Sequence, residues 1–350
     1  MEDSSSLGIK DIAKIANVSI GTVDRVLHNR DGVSPTTRKR ILQIIEETGY
    51  TKNIMASRLK LAARKKIKIA ILIPEIKSEL SYWRLPQKGI EKAVTELKEQ
   101  GISIQYFQFN FLHPQSFNEQ CGIILSENYD GIITVPLLEK ESNELLAIAQ
   151  KAGIPVVFLD TERSLDHEAN FICQNSYKAG KVAGRLLHGL VGSKGKYFVV
   201  NILNEDGIQI NNLQRENGFR SFFEENFKDQ KIEIHTVNHP LKDDFEMTDE
   251  LKDLFTSNTT KGIFVTNARS FLIPGILKEN KITDTFIIGF DLNRKNLALL
   301  KKGQINFLIN QKPEFQGYSA IKSLFKFLTK KDDSELNIDI PVEIIVKENA

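Results

Sequence analysis

The chain has 350 residues, 41% of them hydrophobic and 26% charged, without a low-complexity tract, which is enough to fill the cores of two or three globular domains. A formal charge of +2 conceals an asymmetry: residues 1–66 carry 13 Lys and Arg against 7 Asp and Glu, about +6, and the remainder about −4, which directs the N-terminal region toward a polyanionic partner. The Met-Glu-Asp-Ser-Ser-Ser start lacks a basic and apolar signal pattern, and no run approaches ~18 apolar residues. Cys121 and Cys173 form no CxxC pair, so a cytosolic chain is expected, without a membrane span, disulfide framework or zinc site.

Ile9, Ile12, Ala13, Ile15 and Ala16 recur at helical spacing before Asn17-Val18-Ser19 breaks the pattern, which predicts a short helix and a turn. A second helix follows with Ile20, Val23, Val26 and Leu27 as its apolar positions, closed by the segment from His28 to Gly32. Ser34 can cap a third helix and Pro35 fits its first turn. Ile41, Leu42, Ile44 and Ile45 supply its inward face until Gly49.

Two short helices joined by a turn of about three residues match a helix-turn-helix, whose second helix enters the major groove. With Val23, Val26 and Leu27 packed inward, Ile20, Gly21, Thr22, Asp24 and Arg25 face outward. Arg25 is the strongest base reader, because a guanidinium donates two hydrogen bonds to guanine O6 and N7. Ser19 and Thr22 suit phosphate oxygens or single base acceptors. An isolated Arg25 would read as an ordinary exposed helix residue; the arrangement around it favours a base contact.

The run from Ile9 through Val33-Ser-Pro-Thr-Thr-Arg to Gly49-Tyr50 resembles the headpiece of the lac repressor family almost continuously. That resemblance implies base contacts by Ile20, Gly21 and Arg25 and phosphate contacts by Ser19, Thr22 and Asn53. Asp24 departs from it, since the family usually has Ser there. A carboxylate near phosphates costs affinity unless it accepts from a cytosine amino group or pairs with an Arg, so the operator sequence does not carry over. Asn53-Ile-Met-Ala-Ser-Arg-Leu-Lys resembles the family's hinge helix, folded when two subunits lie side by side on DNA. The resemblance places Ala56 and Leu59 at the minor groove, with Leu59 as a wedge that unstacks a base step. A plain apolar linker residue is the alternative for Leu59, and the neighbouring Ala56, Arg58 and Lys60 favour the hinge. Residues 1–50 are thus expected to form the headpiece and 51–66 the hinge and linker, leaving 67–350 for a ligand-binding domain.

Beyond residue 66, short apolar runs alternate with helical patterns. Segments 67–73, 102–109, 131–135 and 156–160 read as strands, and a second series follows at 196–203, 232–237, 262–266 and 286–291. Repeated βα units predict an α/β fold with two doubly wound parallel-sheet lobes, helices covering both faces of each. Ligands in open parallel sheets bind beyond the carboxyl ends of the strands. Asp160, Asn267, Asp291 and Gln311 each follow an apolar run, although a single Asp after a strand is more often a helix cap.

This region resembles the type I periplasmic sugar-binding proteins whose fold the lac repressor family carries behind its headpiece. The resemblance implies a first lobe of about 67–173 and 311–338 and a second of about 174–310 and 339–350. It implies ligand contacts by Asp160, Arg215, Asn267, Asp291 and Gln311, with Tyr82 and Trp83 matching an aromatic pair after the first strand. Ala268 departs where many relatives have Asp. Such a set suits a monosaccharide, because carboxylates and an Arg fork engage hydroxyls while an aromatic face covers the C–H side of the ring. A purine would also exploit the stacking, and a partly buried core residue is the plainer reading of Trp83. No catalytic motif is present, and His28, His113, His167, His188, His235 and His239 have no metal-ligand spacing. The expectation is a transcription factor without a cofactor, probing operator DNA as a homodimer and repressing by family default. DNA binding without an effector stays open beside the sugar-responsive reading.

Overall fold

The computed structural model describes residues 9–27, 31–48, 66–77, 81–203, 209–240, 259–330 and 332–350. Asn53, Ala56 and Leu59 lie outside the described residues. The chain divides into two compact units, with the main break between residues 65 and 66.

The first unit holds α1 (Ile9–Ile15), α2 (Ile20–Leu27) and α3 (Pro35–Thr48). Asn17 takes a left-handed conformation, φ 50°, in the turn between the first two. The Ser19 hydroxyl caps α2 by accepting from the Thr22 amide at 3.2 Å, and Ser34 caps α3 by accepting from the Thr37 amide at 3.2 Å. Ile12, Ala13 and Ala16 meet Val23, Val26 and Ile41 in one buried cluster. Leu42, expected inward, is exposed, and so is Ile15. Three short helices bury only one stripe each, and a helix turns about 100° per residue, so the neighbour of a buried position such as Ile41 swings to solvent.

The second unit begins with β1 (Ile67–Pro74), α4 (Arg84–Leu97), β2 (Ile102–Phe109), α5 (Pro114–Ser126), β3 (Gly131–Thr134), α6 (Glu139–Ala152), β4 (Val156–Leu159) and β5 (Asn170–Cys173). The chain then builds α7 (Ser176–Val191), β6 (Lys196–Leu203), α8 (Ile210–Asn226), β7 (Glu233–Pro240), β8 (Lys261–Val265), α9 (Ile273–Glu279), β9 (Thr285–Phe290), α10 (Arg294–Lys301) and β10 (Phe307–Asn310). It closes with α11 (Pro313–Lys330), β11 (Ile338–Asp339) and β12 (Glu343–Ile345). The two sheets run β11-β5-β4-β3-β1-β2 and β12-β10-β9-β8-β6-β7, the same order twice. All neighbours are parallel, as expected, except β12, which pairs antiparallel with β10 at the edge of the second sheet. Strands β5, β11 and β12 are short and were not expected; too few residues alternate in them to register as a pattern. The central strands read as unbroken apolar runs because helices cover both faces.

The chain changes lobe three times: between β5 and α7, between β10 and α11, and between β11 and β12. Helix α11 packs on α4 in the first lobe and α7 on α8 in the second, at backbone contact. A Cβ on Gly89 would lie 1.8 Å from the Glu314 carbonyl oxygen, and one on Gly317 would lie 2.1 Å from that of Pro86. The second pair repeats this, with Gly180 at 2.0 Å from the Arg215 carbonyl oxygen and Gly218 at 2.0 Å from that of Tyr177. Each helix entering from a crossover, α11 or α7, is thereby locked against the helix that follows the first long strand of its lobe, α4 after β1 or α8 after β6. Gly218→Ala is expected to cost about 1–3 kcal/mol by overpacking. Gly189→Ala, on α7 with open space beside it, should instead stabilise by roughly 0.4–1 kcal/mol. Urea unfolding of the two variants checks both signs.

Candidate ligand cleft and DNA-facing helix

Asp160 and Asp291 stand one residue past β4 and β9, which occupy equivalent places in the two sheets. Both are buried and both adopt left-handed backbone conformations, φ 70° and 66°, uncommon for a residue with a Cβ. The Tyr82 hydroxyl donates to Asp160 Oδ1, and the Thr161 hydroxyl donates to Oδ2 at 3.0 Å. The Asp160 amide donates to Gln316 Oε1 at 2.9 Å, and Gln316 Nε2 donates to the Gln311 carbonyl at 2.9 Å. A hydrogen-bonded path thus joins the first lobe to the second crossover.

Gln311 links the other charged pair. Its Nε2 donates to Asp291 Oδ1 and Oδ2 at 2.9 and 3.1 Å, while its Oε1 accepts from Arg215 Nη2 at 2.5 Å. Arg215 projects from α8, donates from Nη1 to the Thr266 carbonyl at 2.7 Å, and lays its guanidinium 3.8 Å from the centre of the Phe290 ring. Arg215 Nε and Asn211 Oδ1, one turn earlier on α8, are buried without a hydrogen-bond partner among the described residues. Native structures seldom leave such atoms unmatched.

Burial dominates the titration of this cluster. It raises the Asp291 carboxyl from 3.8 to about 6, against the lowering influence of Arg215 and of the Gln311 amide. It also lifts the Tyr82 phenol well above its ordinary value, helped by Asp160 and Asp291, and lowers Arg215, opposed by the same carboxylates. An upward carboxylate shift favours the folded state at low pH and costs stability as the pH rises from about 4 through about 6.

Tyr82, Asp160, Arg215, Asp291 and Gln311 therefore meet in one buried constellation. Asn267 stands apart: its Nδ2 donates to the Ile202 carbonyl at 2.8 Å and its Oδ1 accepts from the Arg269 amide at 3.2 Å. Trp83 packs on the first-lobe core and meets Tyr82 edge-on, centroids 5.1 Å apart. Thr161, Asn211, Phe290 and Gln316 were missed from sequence. So was Gln174, which follows β5 as Gln311 follows β10 and donates to the carbonyls of Asn310 and Pro341 at 3.0 and 3.3 Å. One amide thereby ties all three crossovers. Its equivalence to Gln311 was the available signal, hidden because β5 was not recognised.

On the headpiece, Ser19, Ile20, Gly21 and Arg25 are exposed on α2, and Thr22 is half-buried. Ser19 and Thr22 share a hydrogen bond of 2.9 Å between their hydroxyls. Among the described residues no group of His, Cys, Asp and Glu is placed to hold a metal ion, and no helix is long and apolar enough to cross a membrane.

Residues 8–53 match the family model of bacterial regulatory proteins of the lacI family, and residues 69–332 match a periplasmic binding protein domain. The chain belongs to the lacI family of regulators. It is 25% identical to catabolite control protein A of Priestia megaterium over 98% of both chains. A crystal structure described as a LacI transcriptional regulator from Bacteroides fragilis is 27% identical and superposes with a TM-score of 0.69, covering 81% of this chain and 98% of that one. GanP, a glucose-galactose binding protein from Geobacillus stearothermophilus, shares the fold at 22% identity, TM-score 0.65, over 82% and 99%. The regulator is thus a DNA-binding transcription factor with a sugar-binding-protein domain, in a family of regulators rather than enzymes.

Among the described residues Gln311 is the one hydrogen-bonded link between Arg215 and Asp291, so Gln311→Leu would leave the buried Asp291 carboxylate without its donor and Arg215 Nη2 without its acceptor. The variant is expected to lose about 1–3 kcal/mol or more, measured by thermal unfolding without ligand.

Proposed function

We propose that the regulator is a homodimeric, cytoplasmic repressor whose affinity for a roughly palindromic operator is set by a neutral monosaccharide bound between Asp160, Arg215 and Asp291. The observation that carries this reading is the buried constellation itself. It offers carboxylate acceptors from both lobes and a guanidinium with an unmatched Nε–H, which suits a ring of hydroxyls. Two buried carboxylates against one guanidinium make a poor host for a phosphate or a sugar acid. Asn211 and Gln311 complete the polar lining and Tyr82, met edge-on by Trp83, supplies the aromatic side, while Asn267 stays on the backbone of β6. The glucose-galactose specificity named for GanP is in keeping with this class of ligand.

Ligand in the cleft would hold the lobes at one angle about the crossovers tied by Gln174. Control follows if the DNA-bound and free forms hold that angle differently, since a ligand shifts only an equilibrium whose two states it binds unequally. Ile20, Gly21 and Arg25 are assigned to bases and Ser19, Thr22 and Asn53 to phosphates. Ala56 and Leu59 are assigned to the minor groove, where paired hinges would bend the duplex.

Trp83 is the sole tryptophan, so titrating pentoses and hexoses into the purified protein should change its fluorescence. Below about pH 6 Asp291 takes up a proton and ceases to accept on both oxygens. Sugar affinity is therefore expected to fall by up to about tenfold per pH unit there and to level off above. Tight binding of a sugar phosphate or purine, with no response to any neutral sugar, would contradict the reading. Arg25→Ala should weaken operator binding by about 1–3 kcal/mol while leaving random DNA nearly unaffected. Equal losses on both, in a gel-shift titration, would make Arg25 a phosphate contact.

A further inference from the structure

The main chain of Asp291 is held from both sides. Its amide donates to the Ile309 carbonyl of β10 at 2.9 Å. Its carbonyl is taken by Asn296, in the first turn of α10, whose Nδ2 donates to the carbonyls of Phe290 at 2.8 Å and Asp291 at 3.1 Å. Successive residues of an extended strand face opposite ways, so two consecutive carbonyls meet one nitrogen only where the chain has turned. Asp291 makes that turn in the left-handed conformation, φ 66°, which a residue with a Cβ keeps only when its surroundings hold it there.

The same amide reaches the neighbouring loop. Asn296 Nδ2 also donates to the Ala268 carbonyl at 3.0 Å, which Asn293 Nδ2 meets at 2.7 Å, and Asn296 Oδ1 accepts from the Ser270 hydroxyl at 2.9 Å. Ser270 fits there because β9 carries Gly289, where a Cβ would lie 2.2 Å from the Ser270 oxygen. Asn296 and Ser270 are both fully buried. One side chain therefore ties the loop after β8 to the loop after β9.

Resting on the monosaccharide reading above, we propose that Asn296 is a positioning residue of the cleft: by holding the left-handed turn at Asp291 and tying it to the loop after β8, it aims the Asp291 carboxylate at Gln311, Arg215 and the bound sugar. Asp160 has a separate support, since its amide donates to Gln316 of α11. The groups facing the Asp291 carboxyl are Arg215, the Gln311 amide, Asp160 and Tyr82. Held among them by the turn, the carboxyl is raised by burial to about 6. Released from Asn296, it can swing toward the guanidinium or toward water, and either move lowers it toward the ordinary carboxylate range.

The test follows the Asp291 carboxyl by NMR in the full-length regulator labelled with 13C at its aspartate carboxyls, its resonance being the one missing from Asp291→Asn. Asn296→Ala is expected to move the titration midpoint down by about one pH unit. Asn296→Ser, which keeps one donor, moves it the same way by less and replaces the alanine variant if that one does not fold. Ser270→Ala removes the bond to Oδ1 but leaves the Nδ2 donors, so it should lower the melting temperature and leave the midpoint within about 0.3 unit. Sugar affinity is measured by calorimetry with D-ribose, D-xylose, L-arabinose, D-glucose and D-galactose, using the one that the wild type binds most tightly. Asn296→Ala should weaken it at least about tenfold in the wild-type background and within about twofold on top of Asp291→Asn, because both substitutions act on one carboxylate. A midpoint unmoved by either Asn296 variant, an equal shift in Ser270→Ala, or the same affinity loss in both backgrounds overturns the assignment of Asn296. Failure of all five sugars to bind the wild type overturns the monosaccharide reading, while the carboxyl titration still decides whether Asn296 positions Asp291.

Discussion

A carboxylate taken out of water must find hydrogen-bond donors or take up a proton, and the ligand-binding domain buries two of them beside one guanidinium. Gln311 resolves most of that conflict. Its amide nitrogen serves Asp291 while its oxygen receives Arg215, so a single neutral side chain separates and satisfies two opposite charges. Much of the domain is arranged around holding it there. Gln311 sits on a crossover, its carbonyl is held by Gln316 of α11, and α11 is pinned to α4 through Gly89 and Gly317.

The doubled architecture explains why the site has contributions from both halves. Equivalent strands β4 and β9 end in Asp160 and Asp291, and equivalent crossovers carry Gln174 and Gln311. The halves have nonetheless diverged in use. Gln174 binds the crossovers to one another, which suits a hinge, whereas Gln311 faces the charged groups, which suits a ligand site. Asp160 takes one donor of its own lobe on each oxygen, while Asp291, served among the described residues by an amide alone, has its carboxyl raised by burial. A symmetric fold thereby presents an asymmetric surface to its ligand.

The headpiece obeys simpler physics. Three helices of 7, 8 and 14 residues are too short to be stable alone, and the cluster around Ile12, Val23 and Ile41 holds them together. Inward demand on Val23 and Val26 leaves Arg25 and the Ser19 end of α2 facing out, so the core that stabilises the unit also selects which side chains can meet DNA. Exposed Ile15 and Leu42 mark the limit of apolar content as a guide to burial in so small a core.

Sequence by itself determined the helix-turn-helix, the βα alternation, the two-lobed class and the carboxylates at strand ends, because these depend on local periodicity and on residue types at fixed offsets. It also singled out Gln311 after an apolar run, and Tyr82 and Arg215 through a resemblance alone. Tertiary structure alone decided which of these residues meet. Asn267 turns to the backbone of β6, Trp83 joins the first-lobe core, and Gln174 emerges as the tie between crossovers. The strands β5, β11 and β12 exist because neighbouring strands offer them a ladder, not because two to four residues prefer to be extended. Contacts such as that of Tyr82 with Asp160, 78 positions apart in the chain, depend on packing between distant segments, and no pattern within a local window contains them.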